Sequence, residues 1–264
     1  LFDNLELLYG ATNGALDVYD DEVVKNIGRF IYRTHITGNA YVCVGDCDAQ
    51  INIPRDLVYR YGQRIGDANM QALATFDMSG NLLGRSKRGF WSMNRPLHAL
   101  FNLSELRAVE TLSAPLLRDV WLSDEDMQLM VARDAAGTTA GLFVAAWGGH
   151  NAQSHNHNDV GNYVVYFDGS PMLIDVGRPT YTRQTFSGDR YKIWAMQSAF
   201  HNLPTVNGCM QGAGRQFAAR DVTHQSNDAT AELQLNIAPA YPKEAGIVSW
   251  VRSIRLDRGK SVTV

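Results

Sequence analysis

The sequence predicts an α+β protein in two parts, helical over 1–116 and built from antiparallel strands over 117–264. Three observations predict it. Up to about residue 115 the apolar residues recur at helical spacing. After roughly residue 116 the texture changes to short β-rich runs separated by Gly and Asp. No β-α-β alternation appears, which argues for separate helical and sheet domains and against a doubly wound sheet.

The elements follow in order. The opening "LFDNLELLYGATNG" is already inside an amphipathic pattern carrying Leu5, Leu7 and Leu8. "DDEVVKNIGRFIYR" has acidic residues in its first turn and basic Arg29 and Arg33 late, as the helix dipole favours, with Val23, Val24, Ile27, Phe30 and Ile31 on one face. "PRDLVYRYGQRIGD" opens at Pro54 and closes at Gly66. "NLSELRAVETL" follows the same logic, with Ser104 as its N-cap. The strands are read in "MQLMVARD", "GLFVAAWG", "NYVVYF", "PMLIDVG" and "IVSWVRSIRLDRGKSVTV". "FDGSP", from Phe167 to Pro171, is hairpin chemistry because Asp and Gly tolerate the backbone angles of a tight turn, and "LDRGKSV" repeats the signal. Both ends fall inside an element, so the expectation is a chain truncated at both ends, with part of its active site outside it.

Composition narrows the function classes. The chain has 264 residues, 45% of them hydrophobic, enough to bury a sizeable core. With 24 basic against 27 acidic side chains, a net charge of -3 offers no global attraction for nucleic acid or an acidic membrane. No apolar run reaches the roughly 18 residues that span a bilayer, so no membrane insertion is expected. Cys43, Cys47 and Cys209 do not make a disulfide framework, and free thiols are expected.

The chemistry concentrates in "SHNHNDVGN", residues 154–162. In an extended segment side chains alternate, which would put His155 and His157 on one side and Asn156 and Asn158 on the other. Two such histidines can share a metal, or one can bind metal while the other faces a substrate. Asp175 follows the apolar run Met172 to Ile174, expected beside a buried face, where a carboxylate needs a cation or several donors. His201, in "SAFHNLPTVNG", is a third residue of ligand type. Two imidazoles and a carboxylate suit zinc. A plain hydrogen bond between His157 and Asp175, and a loop-capping role for His201, remain open at this point. His35, His98, His150 and His224 sit in no cluster and are read as structural or surface residues.

The stretch "SHNHNDVGNYVVYFDGSPMLIDVG", followed by "RPTYTRQTFSGDRYKIWAMQSAFHNLPTVNG", resembles the heparinase II/III-like family of bacterial polysaccharide lyases. The resemblance covers roughly residues 118–264. It implies that the helical part is the end of an incomplete α/α toroid and that the sheet part begins an antiparallel β-sandwich. It further implies that His157, Asp175 and His201 hold a structural zinc ion and that His155 faces the substrate cleft as the catalytic residue. The implied partner is an acidic, uronate-containing polysaccharide, and the implied location is bacterial periplasm or secretion.

Lyases of this kind cleave by β-elimination, and an imidazole that changes protonation near neutral pH suits the base or the neutraliser of the uronate carboxylate. The family's second player is a toroid tyrosine, expected before Leu1, so Tyr41 is not assigned. Tyr181, Tyr191 and Arg178 are of types that suit sugar rings and their acidic groups, and Asn156 and Asn202 can either bind substrate or orient the adjacent histidines. A zinc hydrolase in which the same ligands activate water, and a carbohydrate-binding protein without catalysis, are the alternatives.

Overall fold

A computed structural model describes residues 1–76 and 113–264, with the isolated positions 100, 104 and 108. They form two compact units, one of residues 1–35 with 51–116 and the other of 36–50 with 117–264. The helix expected over 102–112 falls outside the described residues except at two positions, as does His98.

In the first unit, α1 spans Phe2–Ala11 and α2 spans Glu22–Arg33. The Asp21 carboxylate caps α2 by accepting from the Val23 amide at 2.7 Å. The face that α2 buries is not the apolar stripe that its sequence suggests. Val23, Ile27 and Phe30 are 67%, 51% and 37% exposed, while Gly28 and Tyr32 are buried. Gly28 explains the rotation. A Cβ there would lie 3.0 Å from Met70 Sδ and 3.2 Å from Tyr61, so the missing side chain lets α3 (Arg55–Arg64) and α4 (Ala68–Thr75) approach closely. Asp67 caps α4 through the Met70 amide and also accepts from Arg29 and from the Tyr32 hydroxyl.

The segment 36–50, expected among the helices, belongs with the sheets. It carries most of the short hairpin of β1 (His35–Thr37) and β2 (Ala40–Tyr41), and its Ile36, Ala40 and Val42 lie in an apolar layer against a five-stranded sheet. That sheet is antiparallel and contains β3 (Asp119–Leu122), β4 (Leu129–Arg133), β5 (Leu142–Trp147), β7 (Tyr163–Phe167) and β8 (Ser170–Leu173), in that spatial order. The intervening β6 (His150–Asn151) leaves it to pair with β9 (Gly214–Ala218). A four-stranded antiparallel sheet follows, of β10 (Arg220–Ser226), β11 (Thr230–Asn236), β12 (Val251–Asp257) and β13 (Ser261–Thr263).

Both faces of the central strands β4 and β5 are buried, and alternation along the strands divides the apolar residues between them. Met130, Ala132, Val144, Ala146 and Val165 share a core with Leu233, Leu235, Ile254 and Leu256 of the four-stranded sheet. Leu129, Val131, Phe143, Ala145, Trp147 and Val164 face the layer that holds Ile36 and Val42. Burial on two sides is why "LMVAR" and "FVAAW" read as continuous apolar runs.

The "FDGSP" hairpin forms as expected: Asp168 and Gly169 both take positive φ, at 48° and 73°, between β7 and β8. The run after it differs from expectation. Met172, Leu173 and Ile174 are 63%, 43% and 60% exposed, because β8 is an edge strand, and burial resumes only at Asp175. Among the described residues no helix is long and apolar enough to cross a membrane.

Candidate functional site

The chain turns at residues 152–155 and residues 156–158 form no strand, and His155 takes a left-handed φ of 58°. The expected placement of both histidines on one side therefore does not occur. The His155 side chain is 52% exposed, while that of His157 is fully buried. Their rings nonetheless converge on one carboxylate that sequence reasoning missed. Asp46 Oδ2 lies 3.0 Å from His155 Nδ1, and Asp46 Oδ1 lies 3.0 Å from His157 Nε2. Arg190 Nη2 reaches Asp46 Oδ2 at 2.8 Å. Burial alone would raise the Asp46 pKa, but the hydrogen bonds from Arg190, His157 and His155 bring it below the usual carboxylate range.

The loop that carries Asp46 is held against the turn. Its amide donates to the His155 carbonyl at 3.0 Å. Gly45 takes φ +69°, and a Cβ there would come within 2.6 Å of that same carbonyl oxygen. Cys43 and Cys47 close the loop as a disulfide, with Cα atoms 5.4 Å apart. This corrects the expectation of free thiols: the turn at Gly45 brings two cysteines together that no framework in the sequence would pair. Cys209 is free.

His157, Asp175 and His201 come together in the interior, with one ligand atom of each within 4.8 Å of the others. Asp175 Oδ2 lies 2.7 Å from His201 Nδ1 and accepts from Asn162 Nδ2 at 2.6 Å, while Oδ1 accepts from the Gly177 amide. Two features of this arrangement fit a metal ion. His157 holds Asp46 through Nε2, and its buried Nδ1 has no hydrogen-bond partner among the described residues. His201 Nε2 lies 3.1 Å from the Ala195 carbonyl and must donate to it, so a neutral His201 would turn an Nδ1 lone pair toward the Asp175 carboxylate. Two facing acceptors call for a proton or a cation between them. An imidazole whose outer nitrogen donates to a carboxylate or carbonyl is the arrangement that metal-bound histidines adopt.

The electrostatics agree. Burial pushes the His157 pKa down, which favours the neutral, ligating form. Burial likewise disfavours charge on His201 and Asp175, yet their mutual contact outweighs it, raising the His201 pKa and lowering that of Asp175. Beside them burial pushes the Asp159 carboxyl up to about 7, and its Oδ2 accepts from Trp147 Nε1.

The other expected site residues divide into two groups. Tyr181 stands on the surface next to His155, its hydroxyl 3.3 Å from Nδ1 and its ring stacked at 6.2 Å. Phe186, unnoticed in the sequence, packs edge-on to Tyr181 and is 68% exposed. Arg178 lies over the Tyr181 ring and pairs with Asp48. By contrast, Asn156 is buried, 3.4 Å from the Tyr191 hydroxyl, and its carbonyl accepts from Arg190. Asn202 donates to the carbonyls of Tyr163 and Ile174. Asn156 thus supports the turn from within, and the half-buried Tyr191 and Asn202 brace it and the neighbouring segments.

His150, read as structural, is buried against Asp126, and His224 stacks on Trp121. No sequence signal ties Asp46 to the histidines, which lie 109 and 111 positions further along the chain.

Residues 123–264, more than half of the chain, match the family described as Heparinase II/III-like, C-terminal. Among solved structures the chain is similar to the heparan sulfate lyase HepC from Pedobacter heparinus, at 13% identity and a TM-score of 0.58 over 90% of this chain and 31% of that one. A mutant of that lyase gives 14% identity and a TM-score of 0.55 over 87% and 29% of the two chains. A structure of Heparinase III gives 14% and 0.55 over 92% and 33%. At this identity the likeness speaks for the fold, and the chain spans about a third of the length of these structures. No curated protein matches the chain.

Proposed function

Because this chain belongs to the heparinase II/III-like family, we propose that it is part of a polysaccharide lyase that cleaves a uronate-containing glycan by β-elimination, with His155 at the reacting sugar. On this reading the helical unit is the end of an α/α toroid, and the two sheets are part of a β-sandwich. The observation that carries the proposal is the pairing of a half-exposed imidazole with a buried carboxylate, His155 on Asp46, directly beside a buried His-Asp-His cluster.

In the elimination a base takes the proton from C5, the C–H electrons form the C4=C5 double bond, and the C4–O bond breaks with the leaving oxygen protonated. Charge develops on the uronate carboxylate, so groups that neutralise it stabilise the transition state. His155 uses Nδ1 toward Asp46 and so keeps Nε2 for the substrate. Asp46 orients the ring, part of what a carboxylate does for a catalytic imidazole. Burial and the nearby Asp46 carboxylate raise the Tyr181 pKa, so its hydroxyl stays protonated beside His155. The exposed rings of Tyr181 and Phe186 offer apolar faces on which a sugar can lie.

His157, Asp175 and His201 would hold zinc. Bound there, the ion would neutralise the buried carboxylate and staple the turn that presents His155 to the segments bearing Asp175 and His201. Their side chains are at most 3% exposed, which supports a structural role over a metal that must meet substrate and water. The Cys43–Cys47 disulfide suits an oxidising compartment, in keeping with a periplasmic or secreted protein.

The test is an ultraviolet assay of the full-length protein on a panel of uronic-acid polysaccharides. A new conjugated double bond supports the lyase. Reducing ends without that absorbance would refute it in favour of hydrolysis, and saccharide binding without either product would refute it in favour of a binding protein.

A further inference from the structure

Asp46 has more partners than a loop carboxylate needs. Its side chain is completely buried. It accepts from two histidines of different function and from Arg190, which also fixes the turn by donating to the Asn156 carbonyl through Nε and Nη2. An ionised carboxylate is acceptor-only, so every polar neighbour of Asp46 must present a proton to it. That requirement decides the tautomer of each ring. His155 meets Asp46 with Nδ1, so its proton sits on Nδ1 and its lone pair on Nε2. His157 meets it with Nε2, so its lone pair is on Nδ1, the buried nitrogen that has no hydrogen-bond partner among the described residues and belongs to the cluster with Asp175 and His201.

We propose that Asp46 is a positioning residue shared by two sites, one carboxylate that sets opposite tautomers on His155 and His157 and thereby makes the first a base toward substrate and the second a metal ligand. The roles given to the two rings rest on the lyase reading; the tautomers do not.

An amide cannot replace it. In Asp46→Asn one side-chain position becomes an N–H donor. If the amide nitrogen faces His157, that ring must accept at Nε2, and its proton moves to Nδ1, where a metal would bind. If it faces His155, that ring must accept at Nδ1, and Nε2 carries the proton, so the base is lost. Either orientation inverts one ring.

The experiment is nitrogen-15 NMR of the histidine rings in the full-length, metal-free protein above the ordinary imidazole pKa of about 6.5, with assignments from His155→Gln and His157→Gln. Wild type is expected to show His155 protonated on Nδ1 and His157 on Nε2. Asp46→Asn is expected to exchange the protonated and unprotonated nitrogen signals of at least one ring. The proposal is overturned if wild type shows the same tautomer on both rings, or if folded Asp46→Asn leaves both unchanged. Should Asp46→Asn not fold, the wild-type spectrum decides alone. Expected tautomers without any unsaturated product would sink the lyase reading and leave this inference standing; wrong tautomers in an active lyase would do the reverse.

Discussion

Replacing Gly45 by alanine tests whether the Asp46 loop is held against His155 by direct backbone contact. The substitution has two costs. Gly45 takes φ +69°, and an L-residue in the left-handed region loses about 1–2 kcal/mol. The new methyl would also lie 2.6 Å from the His155 carbonyl oxygen, which belongs to backbone and cannot swing away as a flexible side chain would. Forcing a methyl into a filled space costs about 1–3 kcal/mol, so the total is about 2–5 kcal/mol. Gly259 supplies the matched control, since it has the same φ of +69° and nothing within 4 Å of its Cβ position. Gly259→Ala should therefore lose only the backbone part. With a urea dependence of about 2 kcal/mol/M, the two denaturation midpoints should differ by about 0.5–1.5 M, Gly45→Ala being the weaker. Equal midpoints would mean that the loop yields freely and that the close approach does not constrain His155.

Two further outcomes are expected. On the lyase reading, His155→Ala should lower turnover of the full-length protein by about 10²–10⁴-fold without changing its zinc content, whereas His157→Ala should lower zinc content and thermal stability together; equal zinc loss in both variants would contradict the division of labour. Asp119 should contribute to acid sensitivity: burial would raise its pKa, but hydrogen bonds from Ser226, Arg258 and Arg118 outweigh that and lower it. Its contribution is thus complete above the unfolded carboxyl value of about 3.9 and is lost as pH falls through the lower folded value. Asp119→Asn should flatten the decline of the urea midpoint over that acidic window, and an unchanged slope would show that the carboxylate is not linked to folding.

What the sequence made legible was local. Hairpin chemistry at Asp168–Gly169 and the runs "LMVAR" and "FVAAW" reflect angles and burial that neighbouring residues dictate, and the strands they predict are present. The grouping of His157, Asp175 and His201 came from residue type and family resemblance, and the structure brings these three together. What stayed hidden depends on distant partners. The buried face of α2 is chosen by a glycine that admits Tyr61 and Met70, which no hydrophobic periodicity records. The alternation assumed for His155 and His157 fails because His155 adopts a left-handed φ that the docked Asp46 loop accommodates. The segment 36–50 looked like part of a helical domain because its covering role is visible only once the sheet beneath it exists.

The distance along the chain between Asp46 and its two histidines, 109 and 111 positions, also fixes when the site can form. Closing a loop of that length is entropically unfavourable, and it is compensated only when the segment bearing Asp46 docks on a completed sheet. Contacts of such high sequence separation form slowly. A nascent or partly unfolded chain therefore presents His155, His157, Asp175 and His201 without the carboxylate that orders two of them. The ordered arrangement of these side chains is therefore completed late in folding, after the strands have paired.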